Sequence, residues 1–290
     1  MGERGRQADS GESPFTVCTT TNNCEKTMQK LPTFFISHGS PMHAINAGAA
    51  GDVWAALTQQ LPKPKAVLMV TAHWETNLPM LSGNVKPSMI YDFGGFPEAL
   101  YKINYPAPGA PDIAAKAQAL LKGAGLTAGI DGCRGFDHGT WVPLLKIFPD
   151  ADVPIVQLSV QTAMNPRHHY DVGRALAPLT KEGVLIVGSG HLTHNLRDWM
   201  MSRGQTAHLP YAQKFQSWVF EHLAAHDVDA LTRYRQEAPE AVRAHPTEEH
   251  FLPLFVALGA AGEDAKSERV FDGFEGTALA MDVYRFSSRT

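Results

Sequence analysis

Apolar residues in this chain fall into short dense runs that alternate with stretches of helical spacing. Thr33-Phe34-Phe35-Ile36-Ser37 is an apolar, β-prone run that stops at His38, where Gly39 and Pro41 end regular structure. The form recurs at 66–71, a run from Ala66 to Thr71 followed by His73. Both runs are almost continuously apolar, as expected of strands covered on both faces. Buried strands are also predicted at 154–160 and 184–188, a short one at 126–130, and an edge strand at 277–286. Helical spacing predicts helices over 52–61, 111–124, 141–147, 166–180, 209–225, 227–237 and 247–258. Pro62 and Pro64 close the first, and Pro166 opens the fourth at a favoured position. Thr247 reads as the N-cap of the last, with Glu248 and Glu249 compensating the helix dipole in its first turn. Residues 89–97, rich in glycine and aromatics, read as a long ordered loop of the kind that carries function. Strands and helices alternate without repeats or a linker. The pattern is therefore that of a single α/β domain, its central, largely parallel or mixed β-sheet flanked by helices on both faces.

Composition narrows the function classes. A hydrophobic fraction of 44% and a charged fraction of 19% in 290 residues can fill a sizeable core. A net charge of −4 gives no basic surface for nucleic acid or anionic lipid, and no apolar run approaches the ~20 residues of a membrane span. Residues 1–30 are polar and aperiodic and lack the apolar segment of a secretory signal. They read as a disordered extension, with Met28 as an alternative start. Three cysteines, Cys18, Cys24 and Cys133, form neither a disulfide framework nor a zinc ribbon and suit a reducing, cytoplasmic setting.

The chemistry lies in the 13 histidines. His38, His73, His138, His194 and His250 stand at strand ends, turns or helix starts. Strand ends converge on the crevice of an open α/β sheet. A metal is the natural reason to collect imidazoles there. Two histidines with a carboxylate suit non-haem iron(II), and three suit a zinc hydrolase equally well. Residue types and spacing leave both open, along with a non-catalytic binding protein. His168, His169, His208, His222, His226 and His245 read as solvated. Trp54 and Trp218, on helices, read as packing residues.

Six motifs occur in order: Ser37-His38-Gly39-Ser40-Pro41, Thr71-Ala72-His73-Trp74-Glu75, Tyr91-Asp92-Phe93-Gly94-Gly95-Phe96-Pro97, Asp137-His138-Gly139-Thr140-Trp141, Gly188-Ser189-Gly190 with Thr193-His194-Asn195, and His245-Pro246-Thr247-Glu248-Glu249-His250. On these motifs the chain resembles the class III extradiol ring-cleavage dioxygenases, in particular their DOPA 4,5-dioxygenase-like branch, and the resemblance covers about residues 31 to 287. The resemblance implies a catalytic domain over 31–290 and a metal held by His38, His73 and His250, with Glu249 as a competing carboxylate ligand. It makes His194 the active-site base, and a fourth ligand in a zinc-loaded resting form, and turns His138 toward substrate or oxygen. His191 is left as a supporting residue. Fe(II) is the implied working metal, with Zn(II) an expected occupant because most N/O sites bind it more tightly. The implied partners are a catecholic substrate and O2. Tyr91, Phe93, Phe96, Trp74 and Trp141 are candidates for an aromatic pocket wall. Residues 1–30 are extra to the family pattern, and Gly94-Gly95 and Gly190-His191 vary where they border the pocket.

Overall fold

A computed structural model describes residues 1–2 and 30–288. Met28 and most of the tail read as disordered lie outside the described residues. The strands are β1 (Thr33–Ser37), β2 (Ala66–Glu75), β3 (Met80–Ser82), β4 (Gly129–Asp131), β5 (Ile155–Val160), β6 (Val184–Gly190), β7 (Ala265–Phe271), β8 (Phe274–Glu275), β9 (Leu279–Ala280) and β10 (Val283–Ser288). The helices are α1 (Gly48–Ala56), α2 (Pro111–Gly123), α3 (His138–Ile147), α4 (Pro166–Leu176), α5 (Pro178–Lys181), α6 (Leu196–Met201), α7 (Pro210–Ala225), α8 (Val228–Thr232), α9 (Tyr234–Glu237), α10 (Ala241–Ala244) and α11 (Leu252–Ala261).

Eight strands form one mixed sheet in the order β4-β3-β5-β2-β6-β1-β10-β7. Its centre, β5-β2-β6-β1, is parallel, and β10 and β7 extend it antiparallel from β1. Side chains alternate between the two covers. Phe34, Ile36, Val67, Met69, Leu185 and Val187 pack with Trp54 of α1 and Trp141 of α3. Leu68, Val70, Val184 and Ile186 face Val172 of α4 and Val256 of α11 instead. Phe35 joins the α7 and α11 cluster on that second side. Continuous apolar runs mark these strands because both faces are buried. No helix among the described residues is long and apolar enough to cross a membrane.

Several boundaries differ from the sequence reading, each for a local reason. The expected edge strand over 277–286 is two pieces, β9 and β10, and β10 is interior, between β1 and β7. The true edge, β7, alternates charged and apolar residues along AKSERVF and lacks the dense apolar run that marks the central strands. The helix expected over 166–180 is interrupted at Ala177, because Pro178 cannot continue the hydrogen-bond ladder and opens α5 instead. The 227–237 helix is likewise divided into α8 and α9. The helix expected over 247–258 begins only at Leu252, where Pro253 falls in the first turn. Thr247 is therefore not an N-cap, and Glu248 and Glu249 are not first-turn residues. They belong to the turn that carries His250.

Candidate metal centre

The C-terminal ends of the parallel strands open onto a cavity of about 830 Å³. β1 delivers His38, the end of β2 delivers His73, and the segment after β6 delivers His191 and His194. The N-terminus of α3 supplies His138, and the turn before α11 supplies His250. This is the crevice position expected for an open parallel sheet.

His38, His73 and His250 offer ligand atoms within 4.8 Å of one another. The other ring nitrogen of each faces a polar oxygen. The Ser189 hydroxyl donates its hydrogen to Gly139 O, so His38 Nδ1–H must donate to Ser189 Oγ at 3.0 Å. His250 Nδ1–H donates to Glu249 Oε1 at 2.9 Å. His73 turns Nδ1 toward Asp92 Oδ2 at 3.4 Å. Each Nε2 is left as a lone pair, and the Nε2 atoms of His38 and His73 lie 3.0 Å apart. Two facing lone pairs at that separation repel unless a cation lies between them. Two ligands at right angles, each about 2.1 Å from an ion, are about 3.0 Å apart, so the pair fits a first-row metal. All three rings are held neutral, the form that ligates. Burial pushes each well below the usual histidine range, and neighbouring histidines add to it, although Asp92 opposes the shift at His73.

Two other groupings have ligand-like spacing, His73–Asp92–His138 and His194–Glu249–His250. Their carboxylates are already engaged in orienting the imidazoles. Asp92 Oδ1 accepts from both the backbone N–H and Nδ1 of His138, each at 3.0 Å, while Oδ2 faces His73. Burial raises the Asp92 carboxyl, but the His138 hydrogen bond and the adjacent imidazoles outweigh it and bring it to about 2. The motif that contains Asp92 assigns it no role. Its sequence signal was only its place in a Gly- and aromatic-rich loop. Glu249 was expected to be a solvated dipole partner, and it orients His250 because the helix starts later than its spacing suggests.

His194 stacks on His250, ring centroids 3.5 Å apart and planes 16° apart. Burial first, then the charge of His138, pushes it down to about 4. His138 lies with its ring centroid 4.0 Å from that of His73, its Nδ1–H held by Asp92. His191 is buried, gives Nδ1–H to Ala280 O, and ties its backbone N–H to His250 O at 2.8 Å.

Of the five aromatics expected to wall the pocket, Phe93 and Phe96 line the cavity, their centroids 5.4 Å apart. Trp74, Tyr91 and Trp141 do not line it. Trp74 points to the opposite side of β2 from His73, beneath the Arg134 guanidinium. Tyr91 backs Phe93 and donates its hydroxyl to Ile103 O, and Trp141 is fully buried and donates to Ile90 O. Trp199, on α6, lines the cavity and was not singled out. Two histidines read as solvated are buried structural ones. His169 accepts from Gln161 N–H and donates to Asn165 O, and His245 donates to Leu192 O.

Glycines admit this packing. A Cβ on Gly190 would lie 2.0 Å from His250 O, and one on Gly139 2.9 Å from His73 Cδ2. Gly190→Ala is expected to cost about 1–3 kcal/mol through overpacking. Because the clash falls on the His250 backbone, it should also weaken metal binding. Thermal melts with and without metal check this, and a variant melting like wild type in both would contradict it.

A parallel-sheet crevice with three converging imidazoles that could hold a metal ion defines the class of site: a candidate metal centre in an α/β protein. Comparison with known proteins makes this specific. Residues 32–281 match the family described as the catalytic LigB subunit of aromatic ring-opening dioxygenase, and the chain belongs to that family. It is 43% identical over 260 residues to the 4,5-DOPA dioxygenase extradiol of Beta vulgaris, covering 88% of this chain and 96% of that one. The Escherichia coli K12 protein of the same name is 36% identical over 255 residues, covering 87% and 93%. A crystal structure of an uncharacterized E. coli K12 protein superposes with a TM-score of 0.75 at 33% identity, covering 88% of this chain and 99% of that one. The protein is thus an extradiol aromatic ring-opening dioxygenase, and the hydrolase and binding-protein readings fall away.

Proposed function

We propose that the protein uses Fe(II), held by His38, His73 and His250, to open the ring of a catechol with O2, giving a muconic semialdehyde. The supporting observation is the convergence of three neutral imidazoles whose remaining nitrogens are hydrogen-bonded to Ser189 and Glu249 or turned toward Asp92. When bound, the ferrous ion would bring the catechol oxygens and O2 together and carry electron density between them. Zn(II) fits the same nitrogens, and His194, stacked on His250, is near enough to complete such a shell.

The chain's own residues handle protons and orientation. His194 is neutral at pH 7 and can take the first catechol proton. His138, oriented through Nδ1 by Asp92, keeps Nε2 for hydrogen-bonding or proton exchange with the oxygen-bearing edge of the substrate. Phe93 stands edge-on to His138, centroids 5.8 Å apart, and with Phe96 offers a partly apolar flank for an aromatic ring. Residues 31–290 form the catalytic unit in this reading, and the cysteine usage supports a cytoplasmic setting.

Oxygen consumption by Fe(II)-loaded protein across a panel of catechols tests the proposal. One O2 should be consumed per catechol, with a yellow product. Absence of uptake with every catechol would overturn it.

A further inference from the structure

The main chain of His73 is held by side chains where the sheet lets it go. β2 and β5 pair at Val70↔Leu158 and again at Glu75↔Val160, so residues 71–74 have no partner on β5. An irregularity of this kind re-aims a side chain and leaves backbone polar groups to be satisfied elsewhere. For His73 both groups end on one buried carboxylate. Its N–H donates to Thr71 Oγ1 at 3.2 Å, and that hydroxyl donates to Asp137 Oδ1 at 2.8 Å. Its C=O accepts from Arg134 Nη2 at 3.2 Å, and the same nitrogen donates to Asp137 Oδ2 at 2.7 Å.

Asp137 is fully buried and is also the N-cap of α3, whose first residue is His138. Its Oδ1 accepts from Thr140 N–H at 3.2 Å and from Thr140 Oγ1 at 3.3 Å. Every contact of the carboxylate is therefore a donor, which suits the ionised form and leaves no acceptor for a proton. Among the described residues Arg134 is the one cation within ion-pair distance of it. The guanidinium lies 4.9 Å from the Trp74 ring centroid, and its buried Nε–H has no hydrogen-bond partner among the described residues. Arg134 is thus placed for its two Nη2 contacts and not for full satisfaction of its donors. The two elements meet closely, since a Cβ on Gly139 would stand 2.9 Å from both His73 Cδ2 and Thr71 Oγ1.

We infer that Asp137 and Arg134 are a positioning pair that locks the out-of-register main chain of His73 against the first turn of α3. The pair thereby sets the spacing between this ligand and His138, whose ring centroids lie 4.0 Å apart. The inference rests on the ring-opening reading and names the residues that fix its geometry. Asp92 holds the two imidazoles by their rings, whereas this pair acts on the backbones that carry them. An ion pair this deep contributes little net stability, and specifying one arrangement is its best-attested use. A displacement of about 1 Å at a reacting centre costs about 100-fold in rate.

Fe(II)-loaded Asp137→Asn, Arg134→Met and Arg134→Lys, assayed with 3,4-dihydroxyphenylalanine at matched metal content, test this. Asp137→Asn keeps an oxygen for Thr71 and Thr140 but turns an NH2 against Arg134. Arg134→Met keeps an apolar contact with Trp74. In both, kcat should fall about 10–100-fold, with KM changed much less. The double variant should be no worse than the worse single one, because the two residues act as a unit. Arg134→Lys, which keeps the charge, should recover part of kcat. Should Asp137→Asn fail to fold, the Arg134 variants carry the test, their side chain being 18% exposed. Crystal structures of the metal-free variants give a readout that needs no turnover. In Asp137→Asn and Arg134→Met the His73–His138 centroid distance should move from 4.0 Å by on the order of 1 Å. Wild-type kcat at full metal content overturns the pair, even if the melting temperature falls. A lowered kcat with the rings unmoved overturns it too. Wild type turning over no catechol overturns the ring-opening reading, and the ring separations then decide the pair alone.

Discussion

His38→Ala is expected to empty the metal centre while leaving the fold standing. The strand before it contributes packing, with Phe34, Phe35 and Ile36 at 0–1% exposure, whereas His38 contributes Nε2 to the converging set. Removing a direct ligand should cost more than the about 10–100-fold in metal affinity or activity that loss of a supporting partner costs. Ser189→Ala provides the graded comparison. It removes the oxygen that fixes the His38 tautomer and should fall in that 10–100-fold range. Circular dichroism should show both apo-proteins folded. Metal analysis and oxygen uptake should rank them wild type, then Ser189→Ala, then His38→Ala. A His38→Ala protein with stoichiometric metal and full activity would contradict the site.

The metal-free protein is expected to be acid-labile at an unusually high pH. His38, His73, His169, His191, His194, His245 and His250 all have folded-state pKa values below the ordinary histidine range, in each case chiefly through burial. Below about pH 6.5 the unfolded chain binds protons at these positions that the folded chain refuses. Stability therefore rises with pH across this window, and the stabilisation present above pH 6.5 is lost as pH falls toward the folded values. Each such histidine adds up to about 1.4 kcal/mol per pH unit to the slope. Several acting together should bring the apo-protein's urea midpoint down steeply between pH 6.5 and 5. Bound metal requires the rings of His38, His73 and His250 neutral and stabilises the folded state, so the loaded protein should hold its midpoint to lower pH. Urea melts of apo- and metal-loaded protein from pH 8 to 5 check this. A flat apo profile would contradict it.

What the sequence revealed follows from where information is dense. β1, β2, β5 and β6 were legible because burial on both faces writes them as apolar runs, and the histidines at their ends were legible because those runs stop abruptly. The partners that make imidazoles into ligands were harder to see. Asp92 and Glu249 act through hydrogen bonds to residues near in space, and a lone carboxylate in a loop resembles a solvated one. Glu249 was misread through a helix start five residues too early, an error that Pro253 alone could have signalled. Trp74 and Trp141 flank site histidines in sequence but not in space. Successive residues of a strand face opposite sides, and α3 turns Trp141 into the core. Trp199 reaches the cavity wall only through tertiary packing of α6 on the β8–β9 turn, which no local pattern encodes.

The central claim is that three imidazoles converge to hold a metal at which a catechol ring is opened by O2. Isotope labelling tests it most directly. Fe(II)-loaded protein is given 3,4-dihydroxyphenylalanine under ¹⁸O2, and the product is trapped at once and weighed by mass spectrometry. The expected product is ring-opened and carries two labelled oxygen atoms, formed by wild type and absent with His38→Ala. Product formed at full rate without O2, or carrying oxygen from water alone, would contradict it.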